Sequence, residues 1–409
     1  MTGEFKPNTI SFYRFQVVSF SPYCFHWING MTSPKPTILH AIDTTGPGGA
    51  ETVFLNLADA LRIDGYSTLA LIQGPGWLQQ QLQNRQIPFV IIAPSGWLSI
   101  GYYWAVYRLM KQHHVKFVQA HLLGSALTFA LLHLVTAIPV VATLHGHVDV
   151  DPNERFVALK RWLLRRGLHR VVAVSRQLAE YLADRKLFGR HQLVVIHNGI
   201  DVAQYQVARS GRLQQELSLP AQAKLVGSIG NIRPAKDYPN LIQAAAVLLA
   251  HNLDVHFVIA GHPKEPLQSS LYALVSKLGI DKNIHFLGFM ADTAEFLAQL
   301  DVFVLASKSE GFSISTLEAM AARVPIVATR CGGPEEILRP DIDGLLVETS
   351  CPRQLSSAIA QLLERSTTGP SSIGPFVASA YDRVTSDFSL TSMIEQYRAQ
   401  IQTDMLNLR

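Results

Sequence analysis

From Thr37 onward, short runs of β-branched and aliphatic residues alternate with stretches of helical period, and the alternation restarts once. The first set of runs includes Ile38–Ile42, Leu69–Ile72, Phe89–Ala93, Val140–Leu144, Val171–Val174 and Val194–Ile196. Helical stretches such as Glu51–Ile63, Gly101–Gln112 and Asp151–Arg166 fall between them. A strand, a crossover helix and a second strand lie parallel, and a parallel sheet needs cover on both faces. Runs that are apolar at consecutive positions suit such double burial. After a polar break near Gln204–Leu219 a second set begins, with runs at Lys224–Ile229, Val255–Ala260, Ile284–Leu287, Val302–Leu305 and Ile326–Thr329. Helices are expected between these too, at Tyr238–His251 and Leu267–Leu278. The expected fold class is α/β, with two tandem Rossmann-like doubly wound domains facing across a cleft. We expect them to span 37–203 and 204–388, with a helix in 389–409 packing back on the first.

Composition limits the alternatives. With 48% hydrophobic residues in 409, the chain has enough apolar surface to offset its chain entropy, which excludes general disorder. Residues 1–36 lack periodicity and hold Pro7, Pro22, Pro34 and Pro36. They are expected to be a disordered extension, unless translation begins at Met31. Three widely spaced cysteines (Cys24, Cys331 and Cys351) point to a reducing compartment and exclude a disulfide scaffold. No CxxC or Cys/His cluster suggests zinc. From Phe117 to Val148 there is no charged side chain, a length sufficient to span a bilayer. Four histidines and Pro139 interrupt it, so it reads as a buried helix, Gly124–Thr136, and a buried strand, Val140–Leu144. The N-terminus lacks the pattern of a signal peptide.

The charge is uneven, at +6 over residues 31–205 and −3 from 206 onward. Such asymmetry suggests domains with different partners. Lys160–Arg170 is a basic and apolar segment that can rest on an anionic membrane surface; the plain alternative is a solvated helix covering the core. Nothing in the chain points to nucleic acid.

Several loops carry chemistry. Asp43–Glu51 includes Gly46, Gly48 and Gly49 before a helix, where backbone N–H groups can approach an anion. It is not GxGxxG, and no acidic residue ends the second strand, so a nicotinamide dinucleotide site is not expected. His121 and His145 each follow an apolar strand, at the rim where ligands of such sheets bind. Arg233 and Lys236 follow the first strand of the second domain and can meet a diphosphate, Arg as a planar fork and Lys as a point charge. The sharpest signal is Glu310 to Glu318, two glutamates with seven residues between, with Gly311 expected to open a helix. On one continuous helix they would stand ~12 Å apart, too far for the carboxylate pair of a typical glycosidase. Apolar neighbours surround Glu318, so its carboxylate needs a partner, such as ribose hydroxyls.

On these residues the chain resembles glycosyltransferase family four, retaining enzymes of the GT-B fold. The resemblance runs from about Pro36 to Tyr397. Val174-Ser175, Asn198-Gly199-Ile200-Asp201, Gly332-Gly333-Pro334-Glu335-Glu336 and Asp343–Val347 support the glutamate pair. It implies that Gly48 and Gly49 border the donor phosphates, His145 lies near the transferred sugar and His121 lines the acceptor side. It implies that Lys236 binds the diphosphate, Glu310 touches sugar hydroxyls, Gly311 and Phe312 supply backbone contacts, and Glu318 holds the ribose. His145, Glu310 and Lys236 are thereby the catalytic set. The family often has arginine directly after the strand glycine; here Asn231 follows Gly230, and Arg233 is the candidate substitute. The implied activity is metal-independent transfer, with no cofactor, of a hexose from a UDP- or GDP-sugar to a saccharide or lipid-linked saccharide. The expected localisation is cytoplasmic, and the basic segment Lys160–Arg170 adds peripheral placement on the inner face of a membrane. The rivals are a nucleotide-sugar 2-epimerase of related fold and a non-catalytic nucleotide-sugar-binding module.

Overall fold

The computed structural model describes residues 36–94, 96, 99–146, 157–251, 254–368 and 370–406. The expected extension up to residue 35, and positions 151–156 of the helix expected from Asp151, lie outside the described residues.

Two parallel sheets form. The first holds β1 (Thr37–Ile42), β2 (Ser67–Ile72), β3 (Phe89–Ile91), β4 (Val115–His121), β5 (Val140–Leu144), β6 (Arg170–Ala173) and β7 (Leu193–Val195), in the order β3-β2-β1-β4-β5-β6-β7. The second holds β8 (Lys224–Ile229), β9 (Val255–Ala260), β10 (Ile284–Gly288), β11 (Val302–Leu305), β12 (Ile326–Thr329) and β13 (Leu345–Val347), in the order β10-β9-β8-β11-β12-β13. The fold is thus two Rossmann-like domains, as the alternation predicts. No strand is read from the sequence at β13.

The helices follow their apolar spacing. In the helix Gly49–Ile63, Val53, Phe54, Leu57, Ala58 and Leu61 are buried, one stripe of a 3.6-residue period. The helix Leu122–Thr136 departs from expectation. It buries Ala126, Phe129, Ala130 and Leu132 but exposes Leu131, Leu134 and Val135. Lack of charge shows that a helix is apolar, not which of its faces is covered. Among the described residues no helix is long and apolar enough to cross a membrane.

The helix Leu390–Leu406 lies against the first sheet. Met393, Ile394, Tyr397 and Ile401 join a core with Ile38, Leu57, Phe117 and Val172. Tyr397 Oη is 3.1 Å from Thr143 Oγ1, and Arg170 Nε donates to Asp404 at 2.9 Å.

What positions a site is the strand order. In each sheet the order reverses between the first strand and the fourth: β1 beside β4, and β8 beside β11. Loops leaving two such neighbours diverge to opposite faces and open a crevice at the carboxyl ends, where ligands of doubly wound sheets bind.

Candidate active site

In the second domain the crevice lies between the loops after β8 and β11. Pro234–Lys236 makes a short 3-10 turn before the helix Tyr238–Leu249. The two loops are tied together: Lys308 N donates to Ala235 O at 2.7 Å, and Lys308 Nζ pairs with the buried Asp237 at 3.1 Å. This registry sets Lys236 Nζ 2.7 Å from Glu310 Oε1, which also accepts from Ser307 Oγ at 2.6 Å. Both members are largely shielded, so the charges interact more strongly than a surface pair would. Lys236 and Glu310 therefore face each other across the switch point.

Gly311 does not open the helix. The helix runs Ile314–Ala321 and is capped by Ser313, whose hydroxyl accepts from Thr316 N. A serine caps by offering an oxygen to the exposed N–H groups, which glycine cannot do. Glu310 thus precedes the helix and only Glu318 lies on it. Gly311 answers a different need: a methyl group there would overlap the carbonyl oxygen of His145, in the other domain. Phe312 buries its ring against His197 at a centroid distance of 4.9 Å and against Phe388 at 5.4 Å.

Glu318 accepts from Tyr205 Oη at 2.8 Å. Burial pushes its carboxyl above the ordinary value, while bonds from Tyr205 and Thr293 and the charge of Lys236 pull it back. Tyr205 is itself pushed up by burial and by Glu318.

In the first domain Gly48 precedes the helix Gly49–Ile63 and Thr52 N donates to its carbonyl. Gly49 lies against Ile314 of the second domain. Asn231 links the two sides: its Nδ2 donates to Pro47 O at 3.3 Å and its Oδ1 accepts from His262 N at 3.1 Å. The residue that departs from the family pattern is thus a tie between domains. Arg233 is exposed and makes no ion pair among the described residues.

His121 ends β4 at the rim, as expected, but its side chain is not open to a ligand there. Its ring is fully buried at the end of β4, because β4 is a central strand of the sheet. Its Nδ1 lies 3.3 Å from His145 Nε2 and the rings stack at 5.5 Å. His145 is the half-buried member of the pair. Burial pushes His145 down to about 3, so its ring is neutral at pH 7. His121 is lowered by burial and by the neighbouring His145 and His40. His40, on β1, is also pushed down to about 3 by burial, and neither ring nitrogen has a hydrogen-bond partner among the described residues.

These histidines set a pH dependence. A folded-state pKa below the unfolded 6.5 means that the unfolded chain takes up the proton first as pH falls. Stability present above pH 6.5 is lost as pH falls toward 3. Between pH 7 and pH 5, His40 alone should cost about 2 kcal/mol. Urea unfolding at the two pH values checks this, and His40→Leu should remove that share of the loss. An undiminished loss in the variant would assign the effect elsewhere.

Sequence reasoning missed Ser307 and Tyr205, which hold Glu310 and Glu318. Tyr205 carries no local signal, since its partner is 113 residues away in sequence.

Comparison with known proteins agrees with this geometry. Residues 47–204 match the family described as Glycosyltransferase Family 4, and residues 210–371 match Glycosyl transferases group 1. The chain is 29% identical over 230 residues to N-acetyl-alpha-D-glucosaminyl L-malate synthase of Bacillus anthracis, covering 56% of this chain and 59% of that protein. It is 33% identical over 148 residues to the lipopolysaccharide core biosynthesis glycosyltransferase LpsE of Rhizobium meliloti, covering 36% and 42%. The chain thus spans about half the length of these curated relatives. The crystal structure of Anabaena HepE in complex with UDP-glucose superposes with a TM-score of 0.81 at 22% identity, over 90% of this chain and 99% of that one, a likeness of fold. With each half matched by its own model and both sheets ordered as described, the chain belongs to the family 4, group 1 glycosyltransferases.

Proposed function

We propose that this protein is a retaining, metal-independent glycosyltransferase. It moves a hexose from a UDP- or GDP-sugar to a saccharide or lipid-linked saccharide in glycoconjugate biosynthesis. The observation that carries the reading is the Lys236–Glu310 pair at the switch point of the second sheet, with Glu318 on the following helix. Lys236 exchanges Glu310 for the donor diphosphate, and the released carboxylate accepts from sugar hydroxyls. Glu318 accepts from the ribose. Arg233, exposed on the same loop, and the N-terminus of the helix Gly49–Ile63, bordered by Gly48 and Gly49, add positive potential. Gly311 and Phe312 contribute backbone groups. His145, a neutral ring of lowered basicity, hydrogen-bonds a sugar hydroxyl, and His121 holds its ring. The bond from the anomeric carbon to the phosphate oxygen breaks and a bond to the acceptor oxygen forms on the same face. The departing phosphate oxygen takes the acceptor proton. Preorganised charge at the leaving group is commonly the largest catalytic contribution.

The test is donor turnover with and without acceptors, starting from UDP-glucose, which the HepE structure contains. Acceptor-dependent consumption giving a product of unchanged anomeric configuration supports the reading. Interconversion of donors without acceptor would identify an epimerase, and binding without any turnover a binding module.

We also propose that the first domain rests on the inner face of an anionic membrane. Trp104, Leu131, Leu134, Val135, Leu159 and Trp162 are exposed on the helices Ile100–Gln112, Leu122–Thr136 and Val157–Gly167. The last two of these pack side by side. Arg108, Lys111, Arg165 and Arg166 are exposed on the same elements. Each basic residue near an anionic surface is worth about 1 kcal/mol, screened by salt. Sedimentation with phosphatidylglycerol vesicles should fall steeply as salt rises, and Arg165→Glu with Arg166→Glu should nearly abolish it. Equal pelleting with neutral vesicles, or none, would end the proposal.

A further inference from the structure

Glu336 belongs to the second domain, yet its carboxylate is held almost wholly by the first. The helix Arg176–Asp184 begins with Ser175 as cap, which accepts from Leu178 N. The two N–H groups before that, of Arg176 and Gln177, have no partner within their own helix. They donate to Glu336 Oε2 at 2.9 Å and Oε1 at 2.8 Å. His197, after β7, places Nε2 3.0 Å from Oε2 while its ring stacks on Phe312. Burial pushes the Glu336 carboxyl up, but these bonds outweigh it and hold it below the ordinary range.

On its own side Glu336 is fixed. Its short helix, Gly333–Ile337, is gripped by Arg383, which donates to Ile337 O at 2.7 Å and to Glu336 O at 3.1 Å. The start of that helix is bonded to the catalytic loop: Glu310 N donates to Cys331 O at 3.0 Å, and Gly333 N donates to Glu310 O at 3.3 Å. Between them Gly332 adopts φ +116°, and a β-carbon there would collide with the Gln177 side chain and the Glu310 carbonyl. Only glycine suits both this φ and the close approach of the Glu310 carbonyl. A continuous path of short bonds thus runs from the first-domain helix through Glu336 and Gly332–Gly333 to Glu310.

We propose that Glu336 is a positioning residue that couples the approach of the two domains to the placement of Glu310. When the domains meet, the carboxylate seats on the helix N-terminus and His197, and the Glu310 backbone is drawn into register against His145. When they part, Glu336 loses these donors and the loop of Glu310 and Gly311 loses its contact with His145. The inference deepens the glycosyltransfer reading and depends on it for the kinetic part of its test only.

The variants are Glu336→Ala and Glu336→Gln, compared in full-length protein by UDP calorimetry, transfer kinetics, thermal melting and small-angle scattering. GDP replaces UDP if it binds more tightly. Glu336→Ala should lower kcat ten- to a hundredfold, keep nucleotide affinity within about threefold and increase the radius of gyration. Glu336→Gln should lose less, because a carboxamide oxygen still accepts from one N–H. Unchanged kcat in Glu336→Ala overturns the proposal. So do parallel losses of kcat, nucleotide affinity and melting temperature, which would mark a purely structural contact. If the unaltered protein turns over no donor, the glycosyltransfer reading fails; the scattering arm then decides alone, and an unchanged radius of gyration overturns the coupling.

Discussion

Glu318→Ala is expected to weaken free nucleoside diphosphate and complete donor by the same factor. The ribose would lose a charged acceptor worth about 1.5–3 kcal/mol, roughly 10- to 150-fold in Kd. Glu310→Ala should behave differently. Glu310 meets Lys236 and Ser307, and in our reading the sugar, but not the nucleoside. Affinity for UDP or GDP should stay within about threefold while kcat falls at least a hundredfold, the size seen when one preorganised polar group is removed. Calorimetry with the diphosphate alone, beside steady-state kinetics, separates the two. Because Glu318→Ala strands the Tyr205 hydroxyl, Glu318→Gln should accompany it: that variant keeps an acceptor for Tyr205. Equal losses of free nucleotide in the Glu310 and Glu318 variants would refute this division of labour. Parallel drops in melting temperature would show that both glutamates merely hold the loop and helix together.

Lys236→Ala should have the larger effect on turnover. It removes the positive charge aimed at the leaving diphosphate and leaves the shielded Glu310 carboxylate facing the donor phosphates without its counter-charge. We expect kcat/KM to fall about a thousandfold, or about 4 kcal/mol, with nucleotide affinity lost as well. The double variant with Glu310→Ala should lose less than the product of the single losses, since the uncompensated carboxylate is gone. Full multiplicativity would mean that the two residues act independently and that their 2.7 Å contact has no consequence for function.

By itself the sequence determined the alternation of strand and helix, and it did so because burial leaves a local record. A strand covered on both faces must be apolar at successive positions, as Val140–Leu144 is, and a helix covered on one must repeat its stripe, as Gly49–Ile63 does. The glutamate pair was equally legible, because a carboxylate among apolar neighbours, as at Glu318, is conspicuous in any fold. Tertiary structure alone decided which groups meet. Lys236 and Glu310 are 74 residues apart and become partners only because β8 and β11 are neighbours in the sheet. His121 pairs with His145 because β4 lies beside β5, and the same central placement buries its ring. Gly311 looked like a helix start, yet contact with the other domain's backbone is what requires glycine there. Glu336 stands in the sequence only as one acid of a motif that supports the family resemblance, and the meeting of the domains gives it a helix N-terminus to hold. Period and burial are properties of neighbours along the chain, whereas strand order and domain contact are set by packing between segments far apart, which leaves no local trace.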